Sequence, residues 1–115
     1  MNIAEIAKLV DGKIVVGDKY IDREVEAVFA SDLMSDVLTI NTNKPILLVT
    51  GLSNIQTIRT CEMADIRIIL FVRGKVITEE MKELAEENDM ILIETKFSAF
   101  RTSGVLYTSG MMPLY

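Results

Sequence analysis

The amino-acid sequence predicts an α/β fold with a mainly parallel sheet flanked by helices. Three apolar runs, Ile46–Thr50, Ile68–Val72 and Met90–Thr95, recur about every 22 residues. Each run is followed by glycine or polar residues and then by a segment with helical periodicity, which is typical of βα units in a parallel sheet. We therefore expect one domain that covers residues 1–115.

The composition supports this interpretation. A chain of 115 residues can bury about two-thirds of the surface that it exposes when unfolded. Half of the residues are apolar, a quarter are charged and only two are proline, so no stretch has the composition of a linker or a disordered tail. The longest apolar stretch is far shorter than the roughly 20 residues that cross a bilayer. We expect neither a membrane protein nor a secreted one.

The residue types argue against several kinds of chemistry. The sequence has no histidine and a single cysteine, Cys61, so it lacks an internal disulfide and the ligands that most transition-metal sites use. Ser/His and Cys/His catalytic pairs are missing for the same reason. The formal charge of −5 argues against binding to a nucleic-acid backbone. These features predict a cytoplasmic protein without a metal or cofactor.

The chain begins with a helix and a short strand. Asn2 and Glu5 have the spacing of a capping box, and the helix that they start is expected to end at Asp11-Gly12. Residues Lys13–Gly17 include three β-branched residues and end in a turn signal. This segment predicts an edge strand.

A second strand is predicted at Val25–Ala30. The residues that follow it, Ser31-Asp32, are of the types that cap helices. We expect them to start a helix whose apolar residues are Leu33, Met34, Val37 and Leu38.

The remaining helices are predicted from their start signals. The loop Thr50–Asn54 leads into a helix in which Ser53 and Gln56 have capping-box spacing. The next helix is predicted from about Thr78 and the last from about Ser98. The apolar side of the last helix is expected to contain Phe97, Phe100, Leu106 and Tyr107.

A candidate ligand site follows from the topology. The carboxyl ends of parallel strands lie on one edge of a sheet, where ligands of such folds usually bind. The candidate ligand-binding residues at this edge are Ser31, Asp32, Thr50, Gly51, Ser53, Asn54, Arg73, Lys75, Lys96 and Ser98. Three cations here outnumber the single carboxylate, so a small anion or a nucleotide could bind. The alternative is that these are ordinary polar loops.

Motifs for catalysis are weak. Thr50-Gly51 matches no dinucleotide fingerprint, and Gly74-Lys75 lacks the remainder of a Walker A loop. Asp32 and Asp36 have i,i+4 spacing, but capping and solvation explain them. Cys61 has no histidine to activate it and is better explained as a structural residue. We therefore expect no enzyme activity.

Several stretches resemble a known family. Ala30–Leu38, Leu48–Gly51, Gln56–Asp65 and Phe71–Gly74 look like the DRTGG domain, and the resemblance extends over nearly the whole chain. DRTGG domains are similar in fold to the non-catalytic N-terminal domain of HPr kinase/phosphorylase. The segment Ala85–Thr95 resembles the last βα unit of that domain.

The resemblance implies a regulatory or ligand-sensing module, often a homodimer, with no catalytic residues to carry over. The stretch that gives the family its name falls near Thr50–Gln56, where this chain lacks the acidic–basic pair and the second glycine. A non-catalytic module that binds a small anion or nucleotide is our first prediction. The alternative is a structural subunit that dimerises and docks on a protein partner, with the apolar tail Met111–Tyr115 at the contact.

Overall fold

The computed structural model describes residues 1–115, which form six strands, five α-helices and one short 3-10 helix at Asp18–Tyr20. The strands are β1 (Lys13–Val16), β2 (Ala27–Ala30), β3 (Ile46–Thr50), β4 (Ile68–Phe71), β5 (Ile91–Glu94) and β6 (Met112–Pro113). The α-helices are α1 (Ile3–Leu9), α2 (Met34–Val37), α3 (Ile55–Met63), α4 (Glu79–Glu87) and α5 (Ala99–Thr108).

All six strands belong to one sheet in the order β1-β5-β4-β3-β2-β6. Neighbours from β5 to β6 are parallel, whereas β1 runs antiparallel to β5 at one edge. The predicted mainly parallel sheet is confirmed, as is the edge position of β1. The tail, which the sequence left unassigned, forms the opposite edge as β6.

Two apolar layers lie on the two faces of the sheet. On one face, α3 and α4 bury Ile58 and Met81 in a cluster with alternate strand residues such as Leu48. On the other face, α1 and α5 bury Ile6 and Leu106 in a second cluster. Every residue of β3 and β4 is buried, because helices cover both faces of these central strands.

Three predicted helix starts are confirmed. Asn2 and Glu5 form a reciprocal capping box at the start of α1, with N···O distances of 2.9 and 3.1 Å. The hydroxyl of Thr78 caps α4, and that of Ser98 caps α5 by accepting from the Arg101 amide at 3.1 Å. Side-chain acceptors thus fix where these helices leave the sheet.

Other local predictions were wrong. The helix after β2 has only four residues and no side-chain cap, because Asp32 turns away from it. Asn54, not Ser53, caps α3 by accepting from the Thr57 amide at 2.9 Å. Phe100 and Tyr107 are 90% and 70% exposed rather than packed against the sheet.

No helix is both long enough and apolar enough to span a membrane.

Candidate functional site

The loops that follow β2, β3, β4 and β5 meet at one edge of the sheet, here called the rim (residues 31–33, 51–54, 72–78 and 95–98). The rim contains a cleft of about 160 Å³, here called the rim cleft. Its lining residues are Asp32, Gly51, Val72, Arg73, Lys75 and Ala99. Four of the ten candidate residues therefore come together around one opening.

Asp32 ties the end of β2 to the end of β3. Its Oδ1 atom accepts hydrogen bonds from the Thr50 hydroxyl at 3.0 Å and from the Gly51 amide at 2.7 Å. The Thr50 Oγ1 atom also accepts from the Leu52 amide at 3.1 Å, so the turn after β3 is held from both sides. No protein donor contacts the Oδ2 atom of Asp32, which leaves one carboxylate oxygen free at the cleft.

Arg73 is held in a demanding backbone conformation. Its φ angle is 64°, in the left-handed region that non-glycine residues seldom occupy, and Gly74 has the same value. The amide of Arg73 donates to the Phe97 carbonyl at 2.8 Å, and that of Gly74 donates to the Thr95 carbonyl at 2.9 Å. The loop after β4 is thus fastened to the loop after β5, which fixes the backbone from which the Arg73 side chain extends.

The cations of the rim cleft have no acidic partner. The three ion pairs in the protein involve the N-terminus, Arg67 and Lys82, so neither Arg73 nor Lys75 is neutralised by a carboxylate. Asp32 is the one acidic residue in the lining. Two unpaired cations against one carboxylate leave a local positive charge, although the chain has a formal charge of −5.

Most of the other candidate residues make contacts within the protein. The Ser31 Oγ atom accepts from the Leu33 amide at 3.1 Å, and the Ser53 hydroxyl donates to the Val76 carbonyl. Thr50 is 1% exposed, so its side chain is out of reach of a ligand. Asn54 and Ser98 cap helices, as described above. These five side chains shape the rim rather than line its cleft.

Lys96 lies in a second cleft of about 400 Å³ on the far side of the loop after β4. Its charged lining residues are Asp11, Lys13, Glu94 and Lys96. Two carboxylates balance the two cations here, so this cleft has no excess of positive charge. The structure therefore separates Lys96 from Arg73 and Lys75, with which the sequence grouped it.

The backbone conformation at Gly51 does not require glycine. A Cβ atom at this position would meet its nearest neighbours, the Asp32 carboxylate oxygens, at 3.7 Å, which is ordinary van der Waals contact. The glycine leaves the floor of the rim cleft open beside that carboxylate.

Sequence reasoning missed the contribution of α5. Ala99 lines the rim cleft, and the Arg101 guanidinium lies over the Phe97 ring with its central carbon 3.7 Å from the ring centroid. The predicted helix start at Ser98 could have indicated that residue 99 would face the rim. The stacking of Arg101 on Phe97 has no signature in the sequence beyond i,i+4 spacing.

Cys61 does not line the rim cleft. The residue is fully buried in the core between α3 and the sheet, and burial raises the pKa of its thiol to about 12. A thiol with this pKa stays protonated at neutral pH and is a poor nucleophile.

Comparisons with known proteins identify the family and the fold. The family model described as the DRTGG domain matches residues 5–109. No curated protein matches the sequence significantly. The fold is similar to the crystal structure of the CBS and DRTGG domains of the regulatory region of Clostridium perfringens pyrophosphatase, complexed with the activator diadenosine tetraphosphate. The TM-score is 0.72 at 14% identity, and the match covers 98% of this chain but only 48% of the other.

Proposed function

Because the chain belongs to the DRTGG domain family, we propose that it is a non-catalytic regulatory module that binds a small anion or a nucleotide in the rim cleft. The observation that supports the site is the pair of cations, Arg73 and Lys75, which lie beside one opening without acidic partners. An unneutralised guanidinium on a fixed backbone is suited to bind a phosphate or carboxylate group through two hydrogen bonds.

The structural relative gives independent support. The regulatory region of the pyrophosphatase contains a DRTGG domain and was crystallised with a nucleotide activator. The present chain spans about half of that region, so the shared fold does not establish that this chain binds the same activator. The activator nevertheless indicates phosphorylated ligands, and nucleotides in particular, as the first compounds to test.

A regulatory rather than catalytic role fits the side chains of the rim. Arg73 and Lys75 can bind charge but are not accompanied by a histidine, and the one thiol lies in the core with a raised pKa. A buried, unpaired thiol is also compatible with the reducing cytoplasm in which we place the protein. Ligand binding would then act by changing how this domain contacts other domains or proteins.

The experiment that tests this proposal is an amide-resolved NMR titration at low salt. The panel contains phosphate, acetyl phosphate, adenine nucleotides and nicotinamide dinucleotides. We expect saturable shifts of the Gly51 and Arg73–Lys75 amides for at least one compound. In Arg73→Ala the affinity for that compound should fall tenfold or more, because a charge-assisted hydrogen bond is lost.

Arg59→Ala is the matched control. Arg59 is an exposed arginine on α3 that forms no ion pair and does not line the rim cleft, so its removal alters net charge by the same amount without changing that cleft. Absence of saturable shifts across the panel would contradict the proposal. Equal loss of affinity in both variants would show that the change in net charge, and not the loss of a contact in the rim cleft, weakens binding.

One observation favours a second function, docking on a partner or on another copy of the chain. An apolar groove of about 280 Å³ lies between α5 and β6. Tyr107, Met112 and Tyr115 at this groove are each more than 60% exposed, an unusual density of exposed apolar side chains. Sedimentation at several concentrations tests self-association, which Met112→Asp should abolish if β6 forms the contact.

A further inference from the structure

The most exposed large apolar side chain in the protein is at the start of α5, next in sequence to a residue that lines the rim cleft. Phe100 is 90% exposed and directly follows Ala99, which lines the cleft. An exposed phenylalanine loses the hydrophobic stabilisation that a buried one would provide, and nothing in the packing of α5 requires an aromatic ring at this position. The position of Phe100 at the second residue of α5 keeps it close to the rim.

The Phe100 ring has both faces free. The one aromatic pair in the protein joins Phe29 and Tyr115, and the cations that lie over rings cover Tyr20 and Phe97. The backbone of Phe100 is nevertheless fixed, because Ser98 caps the helix one residue before Ala99. An aromatic ring with open faces, carried on a fixed backbone, can stack on a planar ligand.

The lining of the rim cleft also fits more than a bare anion. The free Oδ2 atom of Asp32 would repel phosphate but would accept a hydrogen bond from a ribose hydroxyl or a base amino group. Arg73 and Lys75 in the same lining supply the opposite charge. A ligand with both donor groups and phosphates satisfies all three side chains at once.

The size of the rim cleft agrees with partial enclosure of such a ligand. Its volume of about 160 Å³ is below the roughly 300 Å³ at which pockets begin to enclose drug-sized ligands. A nucleotide would therefore place one portion in the cleft and extend beyond it toward the start of α5, where Phe100 is exposed.

We propose that the ligand of the rim cleft is a nucleotide, bound with its phosphates against Arg73 and Lys75, a hydroxyl or amino donor on Asp32 and its base on the Phe100 ring. This inference rests on the proposed function and specifies the ligand class for the same site. Phe100 becomes the residue that distinguishes a nucleotide from an inorganic anion of similar charge.

The test compares ADP with inorganic pyrophosphate by NMR titration or calorimetry on the full chain. We expect ADP to bind at least fivefold more tightly than pyrophosphate. In Phe100→Ala the affinity for ADP should fall by about fivefold to a hundredfold, the range for loss of one stacked base, while the affinity for pyrophosphate stays unchanged. Because Phe100 is exposed, this variant should fold normally, which its amide spectrum will verify.

Tyr107→Ala is the matched control. Tyr107 is another exposed aromatic residue on α5, seven positions and about 10 Å further along the helix. Tyr107→Ala should change neither the affinity for ADP nor the affinity for pyrophosphate. Equal loss of ADP affinity in the two variants overturns the inference, as does equal binding of ADP and pyrophosphate that Phe100→Ala leaves unchanged. In the second case the proposed anion site survives, whereas failure of both compounds to bind overturns the site and the inference together.

Discussion

Asp32 accepts a hydrogen bond from the Thr50 hydroxyl at 3.0 Å, and this contact between residues 18 positions apart joins the ends of the neighbouring parallel strands β2 and β3. The same Oδ1 atom receives the Gly51 amide at 2.7 Å. One carboxylate oxygen thus organises the turn at the bottom of the rim cleft, and the other remains available.

Asp32→Ala should lower the free energy of unfolding by about 1–3 kcal/mol, because the Thr50 hydroxyl is left without an acceptor in a buried position. Asp32→Asn keeps an Oδ1 acceptor and should lower the free energy of unfolding clearly less than Asp32→Ala does. Urea denaturation of the two variants measures the difference. Equal losses would mean that the hydrogen bonds do not stabilise the turn.

Arg73→Gly should weaken ligand binding without lowering the stability of the fold. Glycine adopts a φ of 64° without strain, so this variant should be as stable as the natural chain within about 1 kcal/mol. Its affinity for the rim ligand should fall as far as that of Arg73→Ala. Thermal denaturation and the NMR titration check the two halves of the prediction. A stability loss well beyond 1 kcal/mol would show that the Arg73 side chain has a structural role.

Two buried threonines should respond in opposite directions to replacement by valine. The Thr102 hydroxyl is buried without any hydrogen-bond partner, so Thr102→Val should raise the free energy of unfolding by about 1 kcal/mol.

The Thr95 hydroxyl is the contrasting case. It donates to the Val10 carbonyl at 2.6 Å and accepts from the Phe97 amide at 3.1 Å. Thr95→Val should therefore lower the free energy of unfolding by about 1–3 kcal/mol. Chemical denaturation of both variants tests the pair, and a change of the same sign in both would contradict the hydrogen-bond assignments.

The Cys61 thiol should make stability depend on pH in alkaline solution. Its pKa rises from an ordinary value of 9.0 to about 12 in the folded chain, because burial disfavours the thiolate. The unfolded chain therefore loses this proton first. The stability that the protonated thiol provides is complete below pH 9 and is lost as pH rises from 9 toward 12.

Cys61→Ala removes this dependence. We expect the difference in unfolding free energy between the natural chain and the variant to shrink by up to about 1.4 kcal/mol per pH unit above pH 9. Denaturation at several pH values between 8 and 11 provides the measurement. Parallel stability curves for the two proteins would contradict the raised pKa.

The βα units were predictable because β3, β4 and β5 are continuous apolar runs, as strands with both faces covered must be. The start of α5 was predictable from Ser98, whereas its buried face was not. Phe100 and Tyr107 are seven residues apart and share a helix face. Apolar periodicity therefore predicted that both residues pack inward together with Leu106. β6 is two residues long and contains Pro113, so no period could reveal it.

The candidate site was predictable in outline. Parallel topology placed Asp32, Gly51, Arg73 and Lys75 at one edge, and the structure gathers them around one cleft. The separation of Lys96 depends on the Gly74 contact with the Thr95 carbonyl, a link between loops that no local pattern contains. Capping was misassigned at Ser53 because serine and asparagine have similar propensities, and the two residues are adjacent.

The pairing of β1 with β5 bears on the order in which the protein folds. Lys13 and Glu94 are partners across this edge although about eighty residues separate them. Local βα units can form before so long a loop is closed, so α1 and β1 should dock last. Until they dock, the outer edge of β5 and the apolar surface that α1 covers both face water. This late step is the point at which aggregation competes with folding.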